Sequence, residues 1–385
     1  MIWMDSQHRP TLPREMKAWV IREERHGEPE QAMRLETVEV PRPRDGEVLV
    51  AVKAAGINYN GVWICRGEPV SLSRMKTGHD FHIPGSDASG VVVEIGRGVT
   101  RWRPGDEVVL HCNMSCGQCA ACNGRDPLAC DNQRIWGYEV NYGSFAPYAL
   151  VQAQQLLPKP MNLTWEASAS YGLCLFTAYR MLFTRGHLQP GEIVLVWGAS
   201  GGLGIFAIQL ALLAGAKPVC VVSSPEKAEL CQSLGATLFV DRRPHDLATQ
   251  EGRRGFGAAI RRVTGGPDPD LVFEHVGQST FATSVYVCGK LGRVVICGAT
   301  TGYDLDFDVR YLWMRQKSII GSHFANSWDA SRANQLVMEG RVKPVIWRTF
   351  PFEEIPRAQA LQASSSPAGK LVALVGAERP GLGAR

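Results

Sequence analysis

The sequence predicts an α/β protein with two domains, one rich in β-strands and one built on a doubly wound parallel sheet. Three observations support this prediction. The chain has 385 residues, more than a single hydrophobic core usually accommodates. Short β-type segments between Gly/Pro turns fill its first part, whereas from about residue 191 apolar strands alternate with helices. The composition, with 45% hydrophobic residues, 20% charged residues and 40 glycines, is that of a globular protein with many tight turns.

Composition also limits the kinds of partner. The net charge of +4 is too small to favour nucleic acid, and the basic residues form no block. The N-terminal stretch lacks a signal-peptide core, and no segment offers about 18 uninterrupted apolar residues. We therefore expect a cytoplasmic protein that binds neither nucleic acid nor membranes. In that reducing compartment, clustered cysteines are more often metal ligands than disulfides.

The β-type segments define the first domain, which we predict over residues 14–165. EVLVAVKAAGI and GVVVEIG are examples, and turns such as RPRDGE and RWRPGDE separate them. The C-terminal tail, with the segments GRVKPVIWRTFPFEEI and GKLVALV, has the same character. We therefore assign residues 330–385 to the first domain, so that the second domain, residues 166–329, is inserted near its end.

The second domain begins with a glycine-rich turn between an apolar strand and an amphipathic helix, in the segment VLVWGASGGLG. Glycines there let the backbone approach a pyrophosphate, whose charge the helix N-terminus meets. Further strands at DLVFEH, GRVVICG and SIIGSH favour a dinucleotide site over a tight turn without a ligand. The candidate cofactor contacts in this turn are Gly198, Ser200, Gly201, Gly202, Leu203 and Gly204.

The end of the next strand indicates which dinucleotide binds. NAD enzymes usually carry Asp or Glu at this place, for the ribose 2′-hydroxyl. This chain has Ser223 and Ser224 instead, followed by Lys227. Hydroxyl groups and a cation suit a 2′-phosphate, so we predict NADPH as the cofactor. The alternative is that Lys227 is only a solvated helix residue.

Five cysteines are concentrated in residues 111–130. Four of them have the spacing C-x2-C-x2-C-x7-C, which can wrap four thiolates around one tetrahedral Zn²⁺; they are Cys116, Cys119, Cys122 and Cys130. Because sulfur would fill all four coordination positions, this zinc would be structural. Cys112 lies outside the pattern, and we expect it to pack in the core. The alternative for the other four is a set of core cysteines without metal.

The cysteine spacing, the β-rich first domain and the glycine turn together resemble the medium-chain dehydrogenase/reductase superfamily, over nearly the whole chain. The resemblance implies a GroES-like catalytic domain and a Rossmann nucleotide domain. Zinc alcohol dehydrogenases of that superfamily hold a second, catalytic zinc through a Cys, the His of a GHE motif and a later Cys or Asp. This chain has Asn58 at the first place and Ser86 and Asp87 at the second. Leu173 stands at the third, with Cys174 one residue off, so we do not expect zinc-activated alcohol oxidation.

Longer segments in both domains resemble the crotonyl-CoA carboxylase/reductases and related enoyl-CoA reductases. They include GINYNGVW, RIWGYEVNYGSFA, VCVVSSPEKAELC and TTGYDLDFDVRYLWMRQKSIIGSHFAN. The resemblance implies that NADPH gives hydride to Cβ of a 2-enoyl-CoA thioester and so produces an enolate at Cα. In carboxylating members the enolate attacks CO₂ to give an alkylmalonyl-CoA, and in simple reductases it takes a proton. The four-cysteine lobe departs from that group, which leaves the acyl chain of the substrate open.

The same resemblance implies which residues handle CO₂. In the carboxylating family they are an Asn of the NYN segment, an aromatic–Glu pair in GFE and a His in GSHFAN. The matching residues here are Asn58 or Asn60, with Asn60 preferred, then Tyr138 with Glu139, and His323. The amide would hydrogen-bond one CO₂ oxygen, while Glu139 and His323 would orient a water toward the other. Tyr138 is a departure, because its hydroxyl could donate a useful hydrogen bond or could admit water and favour protonation.

Each of these residues also has a purely structural interpretation. His323 could be a satisfied core histidine, Glu139 an exposed strand residue, and either asparagine the cap of a turn. Arg310 and Arg315 could bind phosphates of CoA or of the cofactor, since guanidinium groups suit such oxyanions. Solvated surface arginines are the alternative for both.

We therefore predict an NADPH-dependent 2-enoyl-CoA reductase with a structural zinc and with reductive carboxylation by CO₂. The superfamily typically forms homodimers or homotetramers, and we expect one of these. The alternatives are a non-carboxylating, acrylyl-CoA-like reductase and a zinc-containing alcohol dehydrogenase or quinone reductase. A non-catalytic NADPH-binding regulator is a third, and it would bind the cofactor without turning over an enoyl thioester. One zinc per chain would fit our prediction, whereas two would fit the alcohol dehydrogenase.

Overall fold

The computed structural model describes residues 12–75, 78–364 and 367–385. Its strands in chain order are β1 (Glu15–Val20), β2 (Arg34–Glu39), β3 (Glu47–Ile57), β4 (Ala88–Ile95), β5 (Glu107–Leu110), β6 (Asn113–Met114), β7 (Arg134–Ile135), β8 (Tyr148–Gln152), β9 (Leu156–Pro158), β10 (Ile193–Val196), β11 (Lys217–Val222), β12 (Leu238–Asp241), β13 (Leu271–Glu274), β14 (Arg293–Ile296), β15 (Ser318–Gly321), β16 (Ile346–Phe350) and β17 (Lys370–Leu374).

The helices in chain order are α1 (Pro29–Ala32), α2 (Asn60–Arg66), α3 (Leu72–Met75), α4 (Trp165–Ala169), α5 (Gly172–Tyr179), α6 (Gly204–Leu213), α7 (Pro225–Ser233), α8 (Gln250–Thr264), α9 (Phe281–Val287), α10 (Arg310–Trp313), α11 (Ser327–Met338) and α12 (Ile355–Ala363). A π-helical turn, Arg180–Arg185, continues α5. Within the described ranges, every helix is too short or too polar to cross a bilayer.

The chain folds into two compact units. The first contains the residues up to Leu173 and those from Pro344 onward, and the second runs from Cys174 to Lys343. Both boundaries lie farther along the chain than residues 165 and 329, where the sequence analysis divides it. The second boundary lies beyond α11 because this helix is tied to the second unit by a buried ion pair between Arg180 and Asp329, with Nη1 and Oδ2 at 2.8 Å.

The first unit is rich in β-structure, as predicted. Its main sheet has the strand order β16-β17-β3-β4-β5-β9, and β8 also pairs with β3. The predicted segment EVLVAVKAAGI forms the central strand β3, which is almost wholly buried because β4, β8 and β17 all pair with it. Val48, Val50 and Val52 pack into one hydrophobic cluster, whereas Ala55 and Ile57 pack into another. The sheet therefore carries β3 through the core and ends it directly before Asn58.

The second unit contains a six-stranded parallel sheet in the order β12-β11-β10-β13-β14-β15. The predicted doubly wound fold is thereby confirmed. Its central strands β10 and β13 are buried along their length because helices cover both faces of such a sheet. The strand order reverses between β10 and β13, and in these folds ligands bind outside the carboxyl ends of the strands at that point.

Candidate functional site

The glycine-rich turn leaves β10 and enters α6, as the sequence predicts. Gly198 has a φ of +54°, and a Cβ there would lie 3.0 Å from the ring of His275. A Cβ on Gly204 would overlap the carbonyl oxygens of Gly198 and Ala199, so only glycine allows this close packing of helix on strand. A Cβ on Gly201 would approach the Gly198 carbonyl at 3.2 Å. The turn therefore presents bare backbone at the N-terminus of α6, the end of a helix that stabilises an anion.

A buried carboxylate supports the strand ends that carry this turn. Glu274 is fully buried and accepts hydrogen bonds from the backbone N–H of Val276 (2.7 Å), the Thr280 hydroxyl (3.0 Å) and the Ser284 hydroxyl. Ser284 accepts in turn from the indole N–H of Trp197 at 2.8 Å, and Trp197 directly precedes the glycine turn. Sequence reasoning missed this network, because its members are spread over residues 197–284 with no local pattern.

The predicted 2′-phosphate contacts lie together at the end of β11. The Ser224 hydroxyl caps α7 by accepting from the backbone N–H of Lys227 at 3.3 Å. Ser223 and Lys227 are partly exposed. Arg242 lies beside the same strand end, because its backbone N–H donates to the Val222 carbonyl at 3.2 Å. Its exposed guanidinium adds a cation that sequence reasoning missed, although the pair of arginines after β12 was a possible signal.

The three positions that the resemblance compares with catalytic-zinc ligands do meet in the first unit, around one carboxylate. The Asn58 amide donates to Asp87 Oδ2 at 2.8 Å, and the Leu173 backbone N–H donates to Asp87 Oδ1 at 2.6 Å. Lys370 donates to the amide oxygen of Asn58, and its Nζ lies 3.8 Å from Asp87 Oδ2. The side chains of Asn58, Asp87 and Lys370 form what we call the Lys370 knot, and each residue is at most 5% exposed.

The charge that balances the buried Asp87 carboxylate is thus an ammonium group. Burial raises the pKa of Asp87 above its ordinary value, and the positive charge of Lys370 acts in the opposite direction. Sequence reasoning missed Lys370, because it lies in β17, more than two hundred residues from the positions that it joins.

The two asparagines of the NYN segment have different surroundings. Asn58 is committed at both ends of its amide, to Asp87 and to Lys370. Asn60 begins α2, and its amide nitrogen donates to the Ser86 hydroxyl at 2.7 Å. Asn60 is therefore oriented by a neutral hydroxyl and takes no part in the Lys370 knot.

Tyr138 and Glu139 lie in residues 135–143, which we call the Glu139 loop. Glu139 Oε2 accepts from the backbone N–H of Ile135 at 2.8 Å, so the carboxyl is held against its own loop. Burial raises the pKa of Glu139 above the ordinary value of a glutamate. The Tyr138 hydroxyl donates to the Glu68 carbonyl at 2.6 Å. The hydroxyl that distinguishes this tyrosine from phenylalanine is therefore engaged within the first unit.

His323 follows β15 in the second unit, and its ring packs edge-on against Phe324 at a centroid distance of 4.6 Å. The side chain reaches solvent, but the protein around it displaces part of its hydration. This loss of water lowers the pKa of His323, and the positive charge of Arg180 lowers it further. The shift favours the neutral imidazole at pH 7, because the unperturbed pKa already lies near 6.5.

Arg310 and Arg315 lie in and beside α10. Arg310 forms an ion pair with Asp308 in which Nη2 and Oδ2 are 2.6 Å apart, so part of its charge is balanced within the chain. Arg315 is exposed. Their assignment to substrate phosphates stays a prediction.

The four cysteines with zinc spacing come together. The Sγ atoms of Cys116, Cys119, Cys122 and Cys130 all lie within 4.8 Å of one another. The separations are 3.6 Å between Cys119 and Cys122 and 3.9 Å between Cys116 and Cys122. A tetrahedral zinc with bonds of about 2.3 Å requires sulfur atoms about 3.8 Å apart, so the cluster fits this ion.

Further features of the lobe suit a metal. The backbone N–H groups of Gln118 and Cys119 lower the pKa of Cys116 to about 6, which favours its thiolate form. Among the described residues, this is the one cluster of three or more His, Cys, Asp or Glu side chains able to hold a metal ion. Cys112 is buried outside the cluster.

Comparison with known proteins supplies independent findings. The zinc-binding dehydrogenase family matches residues 202–339, and the alcohol dehydrogenase GroES-like domain family matches residues 44–161. The chain is 50% identical to the crotonyl-CoA carboxylase/reductase of Cereibacter sphaeroides, over 96% of this chain and 90% of that protein. It is 46% identical to the crotonyl-CoA reductase of Streptomyces collinus, over 94% and 86% of the two chains. A solved 2-octenoyl-CoA carboxylase reductase in complex with NADP and 2-octenoyl-CoA superposes with a TM-score of 0.93, at 39% identity and with 97% and 91% coverage.

Proposed function

The chain belongs to the crotonyl-CoA carboxylase/reductases, a family of the medium-chain dehydrogenase/reductase superfamily, and from this premise we propose that it reduces a 2-enoyl-CoA thioester and carboxylates the product at Cα. Bound NADPH supplies the hydride. The observation that carries the proposal is the 50% identity with a crotonyl-CoA carboxylase/reductase over 96% of the chain. The solved relative that holds NADP with an enoyl-CoA supports the choice of both ligands.

The chemistry defines what the residues must do. Hydride addition at Cβ of the enoyl thioester moves an electron pair into an enolate whose Cα is nucleophilic. That pair forms the new bond from Cα to the carbon of CO₂, and a C=O pair of CO₂ moves onto oxygen to give a carboxylate. Protonation of Cα would use the same electron pair and give the simple reduced thioester. Carboxylation therefore requires donors aimed at the developing carboxylate and the exclusion of water from Cα.

We assign the amide donor to Asn60. The Ser86 hydroxyl orients this amide, whereas the Asn58 amide is used by the Lys370 knot. A second N–H of Asn60 can then donate to an oxygen of CO₂ as negative charge develops there. This is the kind of preorganised donor whose effect grows toward the transition state.

We assign Glu139 and His323 to the hydrogen bonding of water at the carboxylation step. The Ile135 N–H holds the Glu139 carboxyl in place, and the lowered pKa of His323 favours a neutral imidazole, which can donate a hydrogen bond without adding a full charge. The Tyr138 hydroxyl donates to the Glu68 carbonyl, so on this assignment it does not bring water to the enolate. On this assignment the tyrosine is compatible with carboxylation.

The test is a product analysis. Purified protein is mixed with NADPH and crotonyl-CoA, with and without bicarbonate plus carbonic anhydrase, and the acyl products are identified by mass. We expect ethylmalonyl-CoA when CO₂ is supplied. Butyryl-CoA alone would show a simple reductase, and no NADPH oxidation with crotonyl-CoA, acryloyl-CoA or 2-octenoyl-CoA would contradict the reductase itself.

The cofactor preference gives a separate prediction. Lys227→Ala should raise the KM for NADPH about tenfold or more and leave the KM for NADH unchanged, because a charge-assisted hydrogen bond to a phosphate contributes about 1.5–3 kcal/mol. Steady-state kinetics with both cofactors provide the measurement. Lys290→Ala, at an exposed lysine of the same unit, is the control. An equal loss with NADH would argue against a phosphate contact.

We propose that the four-cysteine lobe holds one structural zinc, and its fit to a tetrahedral ion supports this. Metal analysis should give one zinc per chain. Cys130→Ser should reduce the zinc content to below about a tenth of that and lower the Tm, because metal binding contributes to the folding of such a lobe. Cys112→Ala, just outside the cluster, should keep its zinc. A wild-type protein without zinc would contradict the proposal, and two zinc ions per chain would indicate a further site.

We also propose a cytoplasmic homo-oligomer. β15 is an edge strand of its sheet, and several large apolar side chains near it are exposed, among them Leu291, Trp313 and Met314. Exposed edge strands and apolar patches of this kind are usually covered by another part of the protein or by a partner. A second copy of the chain is the occupant that we expect, so light scattering should give two or four times the mass of one chain.

A further inference from the structure

Two segments of the first unit hold Glu139 and the hydrogen-bond partner of Asn60, two of the residues to which we assign the handling of CO₂. One is the Glu139 loop, residues 135–143. The other is residues 81–86, which we call the Ser86 segment, and it ends at the hydroxyl that accepts from Asn60 at 2.7 Å. The position of Asn60 relative to Glu139 therefore depends on how these two segments are joined.

The side chain of Asn141 joins them. Its Oδ1 accepts from the backbone N–H of Ile83 at 2.8 Å and from that of Tyr142 at 2.7 Å. Its Nδ2 donates to the Phe81 carbonyl at 2.9 Å. Asn141 is buried, so the loss of its amide would leave backbone groups of the Ser86 segment without their partner, and such groups are costly inside a protein.

The backbones of the two segments are also in direct contact, which makes their connection rigid. The Gly143 N–H donates to the Ile83 carbonyl at 2.9 Å. Gly137 has a φ of +72°, and a Cβ on it would overlap the Gly85 carbonyl. At Gly137 and Gly143 backbone packs directly on backbone, so a displacement of one segment is passed to the other.

We propose that Asn141 is a positioning residue that sets the place of Glu139 relative to Asn60 and thereby decides how often the enolate is carboxylated and how often it is protonated. The inference rests on the proposed function, since it concerns the two fates of the same enolate. Hydride addition at Cβ precedes this division, and the role proposed for Asn141 concerns only the later step. A shift of about 1 Å in a catalytic group can cost up to a hundredfold in rate.

The variant that tests this is Asn141→Asp, which keeps the shape and the acceptor oxygen but loses the donor to Phe81. The matched control is Gln155→Glu. Gln155 is also a buried amide of the first unit, which accepts from the Gln152 backbone N–H at 2.9 Å and donates to the His111 carbonyl at 2.8 Å. The wild type and both variants are assayed with NADPH, crotonyl-CoA and saturating CO₂. The ratio of ethylmalonyl-CoA to butyryl-CoA, the rate of NADPH oxidation and the Tm are recorded.

We expect N141D to lower the product ratio about tenfold while NADPH oxidation stays within about threefold of wild type. Q155E should lower the Tm and leave the ratio unchanged. An unchanged ratio in N141D, or an equal fall in Q155E, would overturn the inference. Should N141D not fold, Asn141→Ser offers a shorter acceptor for the same comparison. If the wild type gives only butyryl-CoA, the proposed function fails and this inference fails with it. If the wild type gives ethylmalonyl-CoA and N141D keeps the wild-type ratio, only this inference fails.

Discussion

Lys370→Met is expected to lower the free energy of unfolding by about 3–5 kcal/mol, the usual cost of removing one partner from a buried ion pair. Methionine keeps the apolar stem but removes the ammonium that faces Asp87 and holds Asn58 in the Lys370 knot. The carboxylate of Asp87 then stays buried with only neutral donors. Urea denaturation at pH 7 measures the loss.

Two controls show whether the charge is responsible. Lys17→Met removes an exposed lysine of the same unit and should change stability by less than about 0.5 kcal/mol. Adding Asp87→Asn to Lys370→Met removes the unpaired carboxylate and should restore part of the stability. A loss below about 1 kcal/mol in K370M would mean that the pair contributes little.

The pH dependence of the free energy of unfolding follows from the raised pKa of Asp87. A carboxyl whose folded pKa lies above its unfolded value binds more protons in the folded state, so stability falls as the pH rises between the two values. Removal of the Lys370 charge raises the folded pKa further and widens this window. The deficit of K370M relative to wild type should therefore shrink as the pH falls from 7 toward about 4, the ordinary range of an aspartate.

Asn60→Leu is expected to reduce the rate of carboxylation about a hundredfold, the usual effect of removing one preorganised donor, while reduction of the enoyl thioester continues. Leucine fills a similar volume but offers no N–H to a CO₂ oxygen. The measurement is the ratio of ethylmalonyl-CoA to butyryl-CoA at saturating CO₂, with NADPH oxidation followed in parallel.

The corresponding change at Asn162, an exposed asparagine of the same unit, is the matched control and should leave the ratio unchanged. Asn58→Leu should act differently, because it removes a hydrogen-bond partner from the Lys370 knot and so lowers the free energy of unfolding. If N60L keeps the wild-type ratio, Asn60 is not the residue that donates a hydrogen bond to CO₂.

Features that depend on consecutive residues could be predicted from the sequence. The glycine turn, the four-cysteine spacing and the alternation of apolar strands with helices are local patterns, because each reflects the geometry of one turn, one metal or one strand pair. The long segments shared with the enoyl-CoA reductases also pointed to the family that the comparisons support. The position of the domain boundary was harder to predict, because it depends on whether α11 packs with the first or the second unit.

The different surroundings of Asn58 and Asn60 were beyond the sequence. Both lie in one short segment, and only the fold brings Lys370 to one of them and Ser86 to the other. The hydrogen bonds of Asn141 to the Ser86 segment, about sixty residues away, likewise could not be predicted from the sequence. By itself, the sequence determined the fold class, the cofactor turn and the cysteine lobe, because those depend on neighbouring residues. Only the tertiary structure decided which polar side chains are committed to the core, because buried hydrogen bonds and ion pairs form between residues that no sequence spacing relates.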